Sequence, residues 1–238
     1  MSPVYMRIYL LDVSTLQDET TGAELSAKAR GLIDDYRGSK ADQCKSIPAR
    51  GLALGVGMLL QLAARGYVED VSRAAQGIPI ELTAEEAVRI LARNGEVLKL
   101  AYSIENSGKP YLEPDIQIPA GESGIPFISI SHSGKYVALA LSYYEIGIDI
   151  QMRKEMNTEK ISTRYFTEKE TALIHKDPNL FFTLWSRKEA WGKCEGCGIT
   201  AALQRDFSDV SKGLSRFYMW SENNAPSGYA MCVCEKMS

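Results

Sequence analysis

The chain runs to 238 residues, the length of one large domain or two small ones. Apolar side chains make up 45% of it and charged ones 24%, which excludes a disordered or low-complexity polypeptide. With 27 Lys and Arg against 30 Asp and Glu, the formal charge of −3 argues against a general nucleic-acid binder.

Met1 to Asp12 has no signal-type apolar core, so a cytoplasmic protein is expected. Within it Val4–Asp12 alternates and reads as a strand. Glu24–Tyr36 is amphipathic and predicts a helix, followed by the turn-like Arg37-Gly38-Ser39. Ile47–Ala64 predicts a buried helix with Pro48 in its first turn. Its largely apolar run, Gly51 to Ala64, is shorter than a bilayer span, so no membrane association is expected. Thr83 and Glu86 have capping-box spacing at the start of a third helix, which Asn94-Gly95 ends. Val97–Ser103 reads as a strand. Glu113–Pro126, with Pro114, Pro119, Gly121, Gly124 and Pro126, reads as a linker. Beyond it come strands at Phe127–Ser131, Tyr136–Tyr143 and Ile146–Ile150, then helices at Thr158–Phe166, Thr167–His175 and Leu180–Glu195. Strands at Leu214–Trp220 and Tyr229–Glu235 close the chain. Helices and adjacent strands mix on both sides of the linker, which predicts an α+β fold with an N-terminal half at 1–115 and a C-terminal half at 116–238.

Cys194 and Cys197 form C-x-x-C, and Cys232 and Cys234 form C-x-C. Such pairs suit a four-thiolate zinc site or a redox motif. The first pair ends a helical pattern instead of opening one, so small buried thiols in a reducing compartment are the expected reading.

Five segments carry groups that can do chemistry. In Gly147–Gln151, strand periodicity puts Asp149 and Gln151 on one face and Ile148 and Ile150 on the other. Two oxygen donors about 7 Å apart suit a hydrated Mg²⁺, and a polar strand end facing water is the plain alternative. In Leu184–Lys193, Glu189 and Lys193 share a helix face with Trp185, and Phe181 and Leu184 extend the apolar stripe. A sheltered carboxylate beside a lysine can act as a base or metal ligand; an exposed pair would be a weak surface contact. In Phe127–Gly134, His132 sits where a strand enters a Ser/Gly turn, a place that can hold phosphate or simply a structural imidazole. The turn Ser107–Leu112 presents Lys109, and Lys40, Lys45 and Arg50 form a basic set before the buried helix.

Taken in order, Gly-Lys-Pro-Tyr, Ser-His-Ser, Gly-Ile-Asp-Ile and Trp-Ser-x-Lys-Glu-Ala-x-x-Lys-x-x-Gly-x-Gly resemble the 4′-phosphopantetheinyl transferases. The match is to the large pseudo-dimeric type that activates peptide and polyketide synthetases, and it is strong over Lys109–Ile199. Fainter similarity covers Arg50–Leu60 and Phe217–Cys234. The resemblance implies two similar α+β halves with pseudo-twofold symmetry, an active site at their interface, and a monomer. It implies Mg²⁺ on the pyrophosphate of coenzyme A, with Asp149, Gln151 and Glu189 as the metal-binding set. It further implies that Lys40, Arg50, Lys109, Pro110, Ser131 and His132 hold coenzyme A, 3′-phosphate included. Glu189 would be the general base on a serine of an apo acyl or peptidyl carrier protein. Lys193 and Lys188 would stabilise charge on the leaving phosphate, adenosine 3′,5′-bisphosphate being the second product. Asp149, Glu189 and Lys193 make up the implied catalytic set.

One feature departs from the family pattern: Gln151 replaces a second acid, which removes one charge from the metal set. Cys194 and Cys197 fall at open positions of the Lys-x-x-Gly-x-Gly stretch, which favours simple packing for both thiols. Ile199, Leu203 and Phe207 fit a carrier-docking surface, which the resemblance implies for this region, or plain core packing. A non-catalytic module binding coenzyme A or a carrier is the rival reading, opposed by intact Asp149, Glu189 and Lys193. A zinc-stabilised interaction protein rests only on the four paired cysteines.

Overall fold

The computed structural model describes residues 6–67, 77–93, 95–100, 102–104, 110–112, 126–210, 218–222 and 224–237, with 102–104, 110–112 and 218–221 followed as backbone strands. Strands β1 (Arg7–Asp12), β2 (Ile80–Thr83), β3 (Tyr102–Ile104), β4 (Pro110–Leu112), β5 (Phe127–Ser133) and β6 (Tyr136–Ser142) form one six-stranded sheet in the order β2-β1-β6-β5-β4-β3. Among the described residues only the β1–β2 pairing is parallel. Strands β7 (Ile146–Met152), β8 (Tyr218–Ser221) and β9 (Tyr229–Lys236) form a second, antiparallel sheet in the order β7-β9-β8.

Strand alternation builds the layers. Tyr9 and Leu11 on β1, with Val137, Leu139 and Leu141 on β6, face helices α1 (Gly22–Arg30), α3 (Ile47–Ala64) and α4 (Ala84–Arg93). Ile8 and Leu10, with Ala138 and Ala140, point the other way onto Ile146, Ile148, Ile150, Met231 and Val233 of the small sheet. The far face of that sheet, including Cys232 and Cys234, packs on α5 (Thr158–Tyr165), α6 (Glu168–Lys176) and α7 (Leu180–Glu195). The order is helices, large sheet, small sheet, helices: a mixed α+β fold. The short α8 (Gly198–Ala202) follows α7.

Several expectations need correction. The amphipathic run at 24–36 is two helices, because Asp34 caps a new one, α2 (Asp35–Asp42), by accepting from Arg37 N–H. The supposed turn at 37–39 is helical, and the Arg30 guanidinium packs against Gly38. Strand β2 was not anticipated, and 97–100 is not a strand. Counted from Ile47, α3 has 18 residues and is long and apolar enough to cross a bilayer, contrary to the length argument; 67% of that stretch is buried inside the protein. The expected boundary at 115/116 and all of the linker but Pro126 lie outside the described residues. The large sheet draws strands from both sides of that boundary, since β1 pairs with β6.

Candidate active site

Strand β7 is an edge of the small sheet, and β5 of the large sheet captures its free backbone donors through side chains. The hydroxyls of Ser129, Ser131 and Ser133 accept from the N–H groups of Ile148, Ile150 and Met152 at 3.0, 3.3 and 3.0 Å. This serine ladder satisfies donors that the sheet junction would otherwise bury unpaired. It also delivers Ser131 to Asp149, donating to Oδ1 at 2.9 Å.

Helix α7 crosses β7 at close range. A Cβ on Gly147 would fall 1.9 Å from the Ala190 carbonyl oxygen, so only glycine permits this approach. Lys193 Nζ donates to Ile148 O and to Asp149 Oδ1, both at 3.0 Å. At the other end Arg153 ties the strand to the start of α7 by donating to Asn179 O at 2.6 Å, and to β9 through Tyr229 O at 3.3 Å. Fixed at both ends, α7 brings Glu189 within range of the Lys193 and Asp149 charges.

Asp149 is 5% exposed, and its Oδ2 is buried with no hydrogen-bond partner. Glu189 is half-buried, and desolvation raises its pKa above the usual glutamate value; Lys193 opposes that rise and Asp149 adds to it. His132 reaches the surface at the end of β5, and desolvation followed by the Lys193 charge lowers its pKa, with Asp149 acting in the opposite sense. Gln151 makes one long contact, Nε2 to Met152 O at 3.5 Å, and lines a cavity of about 210 Å³ with Phe181, Phe182 and Trp185. Among the described residues no three His, Cys, Asp or Glu side chains converge. At the sheet junction Asp149 and Lys193 are hydrogen-bonded, and Glu189 and His132 feel the charges of both.

Asp149, Ser131 and Lys193 form one hydrogen-bonded group, and Glu189 and His132 feel its charges. Arg50 is joined to it indirectly: Gln17 Nε2 donates to Pro48 O at 3.4 Å and to Gly134 O at 3.0 Å, tying the start of α3 to the turn after His132. Arg50 is exposed, 3.9 Å from Asp42, and Lys40 lies over the Tyr36 ring on α2. Pro110 is in β4 opposite Ile104, and Lys109 lies outside the described residues. Lys188 departs from expectation: it is 0% exposed and paired with Glu170, so it cannot reach a phosphate in this structure. Phe207 is fully buried rather than part of a docking surface, while Ile199 and Leu203 are half-buried. The thiols of Cys194, Cys232 and Cys234 are in the core and Cys197 is exposed, so the four do not converge as a zinc site would require. Glu170 was missed as a site neighbour, although Thr167-x-x-Glu170 announces it as a capping box.

Residues 145–234 match the model of the 4′-phosphopantetheinyl transferase superfamily. Over this region the chain is similar to that superfamily. Curated relatives named 4′-phosphopantetheinyl transferase agree. Sfp of Bacillus subtilis is 37% identical over 102 residues, covering 37% of this chain and 45% of the relative. HetI of Nostoc sp. is 32% identical, covering 42% and 44%, and gsp of Aneurinibacillus migulanus is 32% identical, covering 52% and 56%. The chain spans about half the length of the curated relatives it matches.

Proposed function

We propose that this transferase moves the 4′-phosphopantetheine arm of coenzyme A onto a serine of an apo acyl or peptidyl carrier protein, releasing adenosine 3′,5′-bisphosphate. The observation that carries the reading is the Asp149–Lys193–Glu189 group, in which a buried carboxylate oxygen is left without a partner. That orphaned Oδ2, the Glu189 carboxylate and the Gln151 carboxamide are hard oxygen donors, and they fit Mg²⁺. Bound there, the ion would supply charge neutralisation for the pyrophosphate.

The chain's own groups account for the remaining work. Glu189 takes the proton from the carrier serine Oγ, and its raised pKa makes it a better proton acceptor than an ordinary glutamate. The serine oxygen then bonds to the phosphorus that carries pantetheine, and the pyrophosphate bridge to the adenosine part breaks. Lys193, held by Asp149 and Ile148 O, places a positive charge beside the departing phosphate. His132, Arg50, Lys40 and Lys109 supply positive charge and donors for the other phosphates of coenzyme A. On this reading the site lies at the junction of the two sheets. Ser131 and His132 come from the large sheet, and Asp149 and Glu189 from the small sheet and its helix.

Incubation with coenzyme A, MgCl₂ and a panel of apo carrier proteins, followed by intact mass measurement, tests the proposal. One carrier or more should gain the mass of a single arm, and EDTA should abolish the gain. A folded protein that binds coenzyme A yet modifies no carrier would be a binding module instead.

A further inference from the structure

One charged pair next to this site has no part in the chemistry above. Lys188 and Glu170 are both wholly enclosed, with Nζ 2.8 Å from Oε2. The ammonium also donates to the carbonyls of Ala202, Leu203 and Arg205 at 3.2, 3.0 and 2.6 Å. The rings of Phe166 and Phe207 flank it, their centroids 5.0 and 5.1 Å away. Glu170 is as fully engaged: Oε2 accepts from the N–H and hydroxyl of Thr167, and Oε1 accepts from Phe207 N–H at 2.9 Å. Three segments far apart in sequence, the start of α6, the middle of α7 and the stretch 202–207, thus meet on one ion pair. Neighbouring residues of α7 fasten the same stretch. Arg187 donates to Phe207 O at 2.8 Å, and the Arg205 guanidinium lies 4.3 Å from the centroid of the Trp191 ring.

We infer that Lys188 is a positioning residue whose buried pair with Glu170 fixes the rotation of α7, so that Glu189 presents its carboxylate to Asp149 and Lys193. The inference rests on the reading of Glu189 as the base. Adjacent helical residues point about 100° apart, so a lysine locked on one side of α7 dictates where its neighbour points. Apolar packing alone tolerates small rotations of a helix. A buried ammonium does not, because rotation would strand a charge without its acceptors. The lysine therefore acts on the reaction through Glu189 rather than through coenzyme A.

The test is a double-mutant cycle on the full-length protein, assayed well below each variant's melting temperature. Lys188→Met should lower kcat about 10- to 100-fold, while its calorimetric dissociation constant for coenzyme A stays within about twofold of the parent. In a Glu189→Gln background the same change should cost less than about threefold more, since both changes act on one group. Glu170→Gln approaches the pair without altering α7 and should give the same pattern if Lys188→Met fails to fold. Three results would overturn the inference: weakened coenzyme A binding at normal kcat, losses that multiply across the cycle, or normal kcat in folded Lys188→Met and Glu170→Gln. Full turnover in Glu189→Gln alone would refute the base assignment instead, and is seen in the same data set.

Discussion

Asp149 commits Oδ1 to Ser131 and Lys193 and keeps Oδ2 unpaired, so its two oxygens have different parts in the proposed reaction. Glu189, by contrast, feels Lys193 and Asp149 through their charges. Replacing it with Gln keeps the shape and removes the base, so turnover should fall by roughly 10² to 10⁴ in a protein that still folds. Single-turnover transfer to a carrier measures this. Among the described residues the Gln151 side chain makes one long hydrogen bond, at 3.5 Å to Met152 O. Gln151→Glu should therefore lower the Mg²⁺ concentration for half-maximal activity by a few-fold to about tenfold, the net of attraction and desolvation being modest. Asp149→Asn should raise it by more, and an unmoved midpoint in Gln151→Glu would exclude that side chain from the metal site. These residues were legible in the sequence because strand and helix periods put each pair on one face. The fate of Lys188 was not. Helix α7 is buried on most of its circumference, so periodicity cannot say which of two adjacent charged residues faces a partner as distant as Glu170.

Strand β5 shows how an element can read correctly and still mislead. Ile-Ser-Ile-Ser-His-Ser alternates as a half-exposed strand does, yet Ser129 and Ser131 are buried and bind the edge of a second sheet. Local pattern reveals a polar face but not that another strand's backbone covers it. Ser131→Ala should destabilise by about 1–3 kcal/mol, because it strands the buried Ile150 N–H and removes a donor from Asp149. Ser133→Ala should cost less, since Met152 is exposed and water can replace the hydroxyl. Urea unfolding of the two variants gives the order, and equal losses would mean that the ladder is not what joins the strands. Gly147→Ala should be the most damaging of the three: its Cβ meets backbone, which cannot swing aside, and α7 must lift away with Glu189. The capping box at Thr83 and Glu86 was readable because its partners are three residues apart. The short β2 was not, because its partner β1 is far away in sequence.

At the scale of the whole molecule, the two sheets are held by apolar packing between them, by the serine ladder at one end and by a second polar clamp at the other. There Ser142 of β6 donates to Glu235 of β9, and Tyr144 N–H donates to the same hydroxyl at 3.1 Å. Glu235 is 3% exposed, and burial raises its pKa above the ordinary glutamate value against the opposing pull of Ser142. The sign of the pH effect follows. Between the unfolded pKa and the raised folded one, the native state binds the extra proton, so stability falls as pH rises through that window and then levels off. Below the window the protonated carboxyl carries no such penalty. Glu235→Gln stays neutral at every pH, and its amide oxygen can still accept from Ser142. The melting temperature of the variant minus that of the parent should therefore be smallest near pH 4, grow as pH rises and flatten above the folded pKa. Other carboxylates complicate the absolute curves: Asp206, lowered to about 2 against desolvation mainly by hydrogen bonding to Lys169, loses its contribution only in strong acid. The difference between the two proteins removes those shared contributions. A difference that does not change between pH 4 and pH 8 would show that Glu235 is no more costly to ionise at the sheet junction than in the unfolded chain.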